Sequence, residues 1–182
     1  GASLFGVENI ACLTGDDVTA GDEPEARRVF DLDSTQLIKV AAGLGEGHYL
    51  SGRAIKQPPT LFVGAVENPF APPLDYRVQR ALKKAEAGAR FLQLQIGYYP
   101  ERLEAFVRGC VEVGVTRTTA LLPTVVLTKS AKALSFMDDA VPGISIPVDV
   151  IASVAGAGDK EAIAEASYQL TLDISRHALS LP

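Results

Sequence analysis

A chain of 182 residues, 47% hydrophobic and 21% charged, has the ordinary composition of a soluble globular protein and enough length to bury one full core. Its net charge of -5 argues against nonspecific nucleic-acid binding, because no overall basic field exists to release counterions, although local phosphate sites remain open. No segment approaches the roughly 20 apolar residues of a membrane helix. The run from Ala120 to Leu127 is short and contains Pro123, and no charged-then-apolar leader is seen, so a cytoplasmic protein is expected.

The first predicted strand lies in the stretch from Asn9 to Asp17, where a short apolar run through Ile10-Ala11-Cys12-Leu13 ends abruptly in Thr14-Gly15-Asp16-Asp17. A buried parallel strand that delivers polar groups to a site at its carboxyl end has this form. The long loop through Asp33 follows, and loops of that length in a compact domain are commonly functional. Asp33 is the expected N-cap of a helix with Leu37, Ile38, Val40 and Ala41 on its apolar face and Gly43 as its stop. Thr60 to Val66 is a second predicted buried strand, followed by the proline-rich Glu67-Asn68-Pro69-Phe70-Ala71-Pro72-Pro73. A helix from Asp75 to Ala87 stops at Gly88, and Phe91 to Ile96 forms a third strand. Pro100 opens a helix with Leu103, Phe106, Val107, Cys110 and Val111 inward. Thr118 to Leu122 is a fourth, shorter strand, with short helices over Lys129 to Met137 and Val148 to Val154. The last helix starts at Asp159 and carries Ile163, Ala166, Leu170 and Ile174 on one face. Cys12 and Cys110 sit in apolar settings without a CxxC, which fits reduced core residues better than a disulfide.

Strands alternating with helices predict a parallel sheet covered by helices, with ligands at the strands' carboxyl ends. Neither GxGxxG nor GxxxxGK[ST] follows any strand, which favours a (β/α)8 barrel over a doubly wound nucleotide fold. A whole barrel takes about 250 residues. About four strand-helix units are present, so residues 1–182 are expected to be one domain that forms part of a barrel.

Several stretches, in order, resemble the methylenetetrahydrofolate reductase family. They are Leu13-Thr14-Gly15-Asp16-Asp17 with Ala20-Gly21-Asp22-Glu23-Pro24-Glu25-Ala26, Val29-Phe30-Asp31-Leu32-Asp33, Gly64-Ala65 with Asn68-Pro69-Phe70-Ala71-Pro72-Pro73, and Lys83-Lys84-Ala85-Glu86-Ala87-Gly88-Ala89-Arg90-Phe91 leading to Gln95. Val141-Pro142-Gly143 and Ile146-Pro147 extend the match more weakly. The resemblance implies an eight-stranded barrel of which this chain corresponds to strands four to seven. It also implies an oxidoreductase of one-carbon metabolism and methionine biosynthesis. Hydride would pass from NAD(P)H, by way of FAD, to 5,10-methylenetetrahydrofolate, giving 5-methyltetrahydrofolate. The family's general acid, a glutamate on the first strand, has no counterpart here. A noncatalytic folate- or flavin-binding subunit, or a barrel fragment lacking the acid-bearing strand, is the alternative. Exposed sheet edges in a partial barrel further predict a homo-oligomer or a larger complex.

By the same resemblance Asp16 is the catalytic and folate-binding carboxylate, whose fixed negative charge would stabilise a cationic iminium substrate. Its spacing equally allows a loop-capping role, and Asp17 reads as a turn residue. Gln95 would hydrogen-bond the pterin, or be a core amide satisfied by backbone. Leu13, Thr14 and Gly15 would line the flavin, with Phe30 and Asp31 along the cofactor, although Phe30 also fits a core anchor for its loop. Arg77, Arg80 and Lys84 fall at i, i+3 and i+7 on one helix face, where they would hold FAD phosphate or form a solvated basic face. Lys83 points elsewhere. Tyr98 and Tyr99 would wall a folate pocket or pack. His48 and His177 lack companions for a metal site, so none is expected.

Overall fold

The computed structural model describes residues 1–182, the side chain of Ala20 excepted. Four strands, β1 (Asn9–Cys12), β2 (Phe62–Glu67), β3 (Phe91–Leu94) and β4 (Ala120–Pro123), alternate with α1 (Ser34–Gly45), α2 (Leu74–Glu86) and α3 (Pro100–Glu112). Then come α4 (Ala131–Ala140), α5 (Val148–Ala155) and α6 (Lys160–Ser180). The strands pair in parallel in the order β1-β2-β3-β4, with Ala11 opposite Gly64, Gly64 opposite Phe91 and Phe91 opposite Ala120. Each strand lies beside its predecessor, without the reversal of order that marks a doubly wound sheet. Such a sheet is wound in the manner of a barrel, with four strands present.

The period-2 alternation of the strands explains where the core sits. Ile10, Cys12, Val63, Ala65, Leu92 and Leu94 point to one face. There they pack with Ile38 and Ala41 of α1, Ala81 of α2, and Leu103, Phe106, Val107 and Cys110 of α3. The other face carries Ala11, Phe62, Val66, Gln93 and Leu122, all exposed, with Phe62 at 47%. The expectation of strands buried on both sides is therefore corrected for β2. Three helices cover one face, and the opposite face would require further strands to close it. The aromatic rings of Phe62 and Phe91 stack at 5.6 Å on this open face, and the Phe91 ring lies where a Cβ on Gly64 would stand.

Local signals set the element ends. Asp33 caps α1 through a reciprocal pair, in which the Gln36 backbone N–H donates to Asp33 Oδ1 at 2.7 Å and the Asp33 N–H donates to Gln36 Oε1 at 2.8 Å. The predicted stop at Gly43 is a correction: α1 runs on to Gly45, and the left-handed turn falls at Gly47, φ 92°. A glycine inside a helix is tolerated at a modest cost, and only the turn itself needs positive φ. Pro100 occupies the first turn of α3 and Asp159 caps α6, both as expected. A second apolar cluster joins Tyr98, Leu134, Ile146 and Val154 to the Ile163, Leu170 and Ile174 stripe of α6. No helix among the described residues is long and apolar enough to cross a membrane.

The loops after β2 and β3 are locked together by Phe70, whose ring fills the space beside Gly97. Gly97→Ala, which overlaps that ring, is expected to lower unfolding free energy by about 1–3 kcal/mol in urea titration. Gly43→Ala, inside α1 with only ordinary contacts around its new methyl group, is expected to be neutral or stabilising by about 1 kcal/mol in the same titration.

Candidate functional site

The carboxyl ends of β1, β2 and β3 open into one cavity of about 510 Å³. Its lining brings together Leu13, Thr14, Gly15 and Asp16 after β1, Glu67 and Asn68 at the end of β2, Arg77, Arg80 and Lys84 of α2, and Gln95 after β3. Phe30 and Asp31 are not brought there. The loop from Gly21 to Asp33 forms no helix or strand, and Phe30 stands 80% exposed, so it is not a core anchor either.

Glu67 organises the cavity's floor. It is the last inward-facing position of β2, and its side chain is 1% exposed. Three cations of α2 converge on that carboxylate, with Lys84 Nζ at 2.7 Å, Arg80 Nε at 3.4 Å and Arg77 Nη1 at 3.5 Å. Spacing at i, i+3 and i+7 puts them on one face, and α2 turns that face toward the end of β2. A wholly solvated basic face is thereby ruled out, since Lys84 is itself only 3% exposed and also donates to the Val66 carbonyl. Burial, followed by repulsion from Arg80 and Arg77, pulls the Lys84 ammonium below its ordinary pKa, against the pull of Glu67 in the other direction. A buried ion pair persists when its remaining polar atoms are satisfied. Here Glu67 Oε1 also accepts the Asn68 N–H at 3.1 Å. One anion and three cations give this cluster a net charge of +2, and Asp16 brings the cavity lining as a whole to +1.

The three cations are used differently. Arg77 donates from Nε to the Ala71 carbonyl at 2.7 Å and from Nη2 to the Pro72 carbonyl at 2.9 Å, which fastens the proline-rich loop onto α2. Arg80 is 39% exposed and makes no hydrogen bond within the chain among the described residues beyond its long contact to Glu67. Lys83 is exposed as expected, 5.4 Å from the Tyr76 ring.

Two neighbouring carboxylates at the end of β1 also diverge. Asp17 accepts from the Thr19 N–H at 3.0 Å, the Thr19 hydroxyl at 2.7 Å and Arg28 through Nε and Nη2, both at 2.7 Å. The Arg28 bonds, then those from Thr19, hold the Asp17 carboxyl well below the usual carboxylate range. It is the loop-capping residue. Asp16 lines the cavity, is exposed, and makes no hydrogen bond or ion pair within the chain among the described residues. Gly15 before it takes φ 74°, a conformation that suits glycine and turns the chain over the cavity.

Gln95 accepts the Ile96 N–H on Oε1 at 3.0 Å, and its own N–H donates to the Glu67 carbonyl at 2.9 Å. Asn68 bridges two loops: Nδ2 donates to the Gly143 carbonyl at 2.8 Å, and Oδ1 accepts the Phe70 N–H at 3.0 Å. Val141-Pro142-Gly143 is thereby tied to the cavity rim. Tyr98 is buried in the second apolar cluster, and Tyr99 stacks under Arg102 at 4.0 Å with its hydroxyl 3.3 Å from Ser145 Oγ. Neither lines the cavity. His48 is exposed, and His177 Nε2 lies 3.0 Å from the Pro100 carbonyl, tying α6 to α3. No group of His, Cys, Asp and Glu fit to hold a metal occurs among the described residues. Glu67 and Asn68 are the residues that sequence reasoning passed over. The available signal was an acid at an inward strand position facing a helix with three cations on one side.

A sheet wound in barrel order, with a polar and cationic cavity at its carboxyl edge, defines a barrel-type α/β protein whose cavity lies where that class places its ligands. Residues 1–179 match the methylenetetrahydrofolate reductase family, and the chain belongs to that family. No curated protein matches the chain. Among solved structures it is similar to an uncharacterized protein from Clostridium thermocellum that binds two copies of 5-methyl-5,6,7,8-tetrahydrofolic acid. That match has 16% identity and a TM-score of 0.58, and it covers 95% of this chain and 59% of that one. The likeness shows a shared fold, and this chain spans little more than half of the other's length.

The Glu67 charge reaches α3, where burial first and Glu67 second push the Cys110 thiol up to about 12 from an ordinary 9.0. An unfolded chain ionises this thiol near 9.0 and the folded one does not, so its contribution is complete below that pH and is lost as pH rises toward 12. Lys84 carries the opposite sign, and Cys12 is also pushed up by burial. The measurement is therefore the difference between wild type and Cys110→Ala in urea titrations from pH 7 upward. The gap between the two stabilities is expected to narrow above about pH 9.

Proposed function

We propose that this chain forms the folate- and flavin-binding part of a methylenetetrahydrofolate reductase-type oxidoreductase, acting on 5,10-methylenetetrahydrofolate with NAD(P)H as electron source. What supports this most is that Asp16, a carboxylate the chain does not use for itself, shares one cavity with Gln95 and the α2 cations. Asp16 would face the pterin and stabilise positive charge developing on the folate, a role for a fixed anion at a partly sheltered site. Gln95, with Oε1 engaged by Ile96, would present its amide nitrogen to a pterin acceptor.

The residues fit FAD on one observation, the net +2 cluster around Glu67, which matches the two negative charges of a pyrophosphate. FAD, when bound, supplies a two-electron carrier between nicotinamide and folate. Leu13, Thr14 and Gly15 would offer backbone and small side-chain surface to its ring, and the α2 face would hold its phosphates. Phe30 and Asp31 would join only if their loop folds over the cavity. The open sheet face would be closed by further strands, from the same polypeptide or another chain. Residues 1–182 would then act as one domain of a cytoplasmic enzyme serving methionine biosynthesis.

Folate binding without reduction is a second reading, favoured by the likeness to a protein described as binding two copies of 5-methyl-5,6,7,8-tetrahydrofolic acid. Calorimetry with 5-methyltetrahydrofolate, paired with an assay of NAD(P)H oxidation after adding FAD, separates the two. Wild-type binding that weakens by about tenfold in Gln95→Ala supports the folate site. Turnover lost in Asp16→Asn supports catalysis. Binding without turnover selects the second reading, and no folate binding at all overturns both.

A further inference from the structure

We infer that Asn68 is a positioning residue that keeps the Gln95 amide free for the pterin, by taking the Gly143 carbonyl itself and pinning the loop from Val141 to Pro147. This rests on the folate part of the proposed function and adds the residue that makes Gln95 available. Asn68 follows the end of β2, and its backbone N–H donates to Glu67 Oε1 at 3.1 Å. Its Oδ1 accepts the Phe70 N–H at 3.0 Å, the local turn that asparagine makes with the backbone two residues on. That bond fixes which end of the amide faces the turn, so Nδ2 points away and donates to the Gly143 carbonyl at 2.8 Å. The loop is pinned twice more, where Asp138 Oδ1 accepts the Ile146 N–H at 2.8 Å and the Tyr99 hydroxyl lies 3.3 Å from Ser145 Oγ. A Cβ on Gly143 would stand 3.2 Å from Asn68 Nδ2 and 3.9 Å from Gln95 Nε2, so two amide nitrogens flank the same residue. Only one of them bonds to it. Gln95 Nε2 makes no hydrogen bond within the chain among the described residues, while its Oε1 is held by the Ile96 N–H. Without Asn68, the Gly143 carbonyl would be a bare acceptor beside a bare donor. The Gln95 amide would then close on that carbonyl instead of on a ligand.

Calorimetric titration with 5-methyltetrahydrofolate tests this in a double-mutant cycle. Asn68→Ser retains an oxygen for the Phe70 N–H and adds no charge, but its hydroxyl is too short to reach the Gly143 carbonyl. It is expected to weaken binding by about fivefold, as for the loss of one hydrogen bond. In the Gln95→Ala background the same change is expected to have no further effect, because the amide that would be captured is gone. Melting temperatures report the structural part separately, and the Asn68→Ser loss of about 2–4 °C should be the same in both backgrounds. Asn68→Ser affinity within about twofold of wild type would overturn the inference and leave the folate reading standing. Losses that multiply in the double variant would overturn it too, because they mark a structural role that does not act through Gln95. Gln95→Ala that binds as tightly as wild type also overturns it, by removing the role of Gln95. Wild type that does not bind 5-methyltetrahydrofolate overturns it together with the folate reading.

Discussion

A carboxylate buried at the end of a strand, held among three cations from the next helix, is the constraint on which the rest of the site depends. Glu67 alone would be untenable with its side chain 1% exposed, and Lys84 alone would be untenable at 3%. Together, with Asn68 N–H and the Val66 carbonyl completing their hydrogen bonds, they fix α2 against the end of β2. The same carboxylate orients Arg80, while Arg77 carries the constraint into the proline-rich loop. From there Phe70 against Gly97 and Asn68 on Gly143 reach the loops after β3 and α4. One ion-pair cluster thus sets the floor and part of the rim of the cavity.

Charge accounting at this point bears on chemistry as well as on stability. Without Glu67, the cluster would carry three positive charges, and Lys84 would be a buried ammonium at a large desolvation cost. With it, the net charge of +2 is concentrated on residues nearer the opening, and Asp16 places a single negative charge on the β1 side of the same cavity. A site that is positive at one wall and negative at another orients a ligand with an anionic end and an end that gains positive charge. This polarity is what ties the family assignment to the geometry of this chain.

Much of the architecture was legible from periodicity and end signals. Alternating strands and helices, the Asp33 cap, Pro100 at the start of α3 and the Ile163, Leu170, Ile174 stripe all correspond to observed elements. The stop of α1 was misplaced because two glycines, Gly43 and Gly47, compete for that role, and only backbone geometry distinguishes a tolerated helical glycine from a left-handed one. The bare face of β2 was hidden for another reason. Phe62 to Val66 is apolar throughout, since the lumen of a barrel is lined by apolar residues too, so sequence cannot reveal how many strands are present to close over it. At the site, the gathering of Asp16, Gln95 and the α2 cations in one cavity agrees with the collinear motifs, whereas the roles of Glu67 and Asn68 depend on contacts between segments that sequence spacing does not encode.

Glu67 and Lys84 stabilise the fold as a pair, and a double-mutant cycle on them tests this most directly. Urea titrations of Glu67→Gln, Lys84→Met and the double variant at pH 7 give the coupling energy. Each single change is expected to cost about 3–5 kcal/mol by leaving an uncompensated buried charge. The double change should cost less than either, which corresponds to a coupling of about 3 kcal/mol or more. Losses that simply add, to within about 0.5 kcal/mol, would contradict the account.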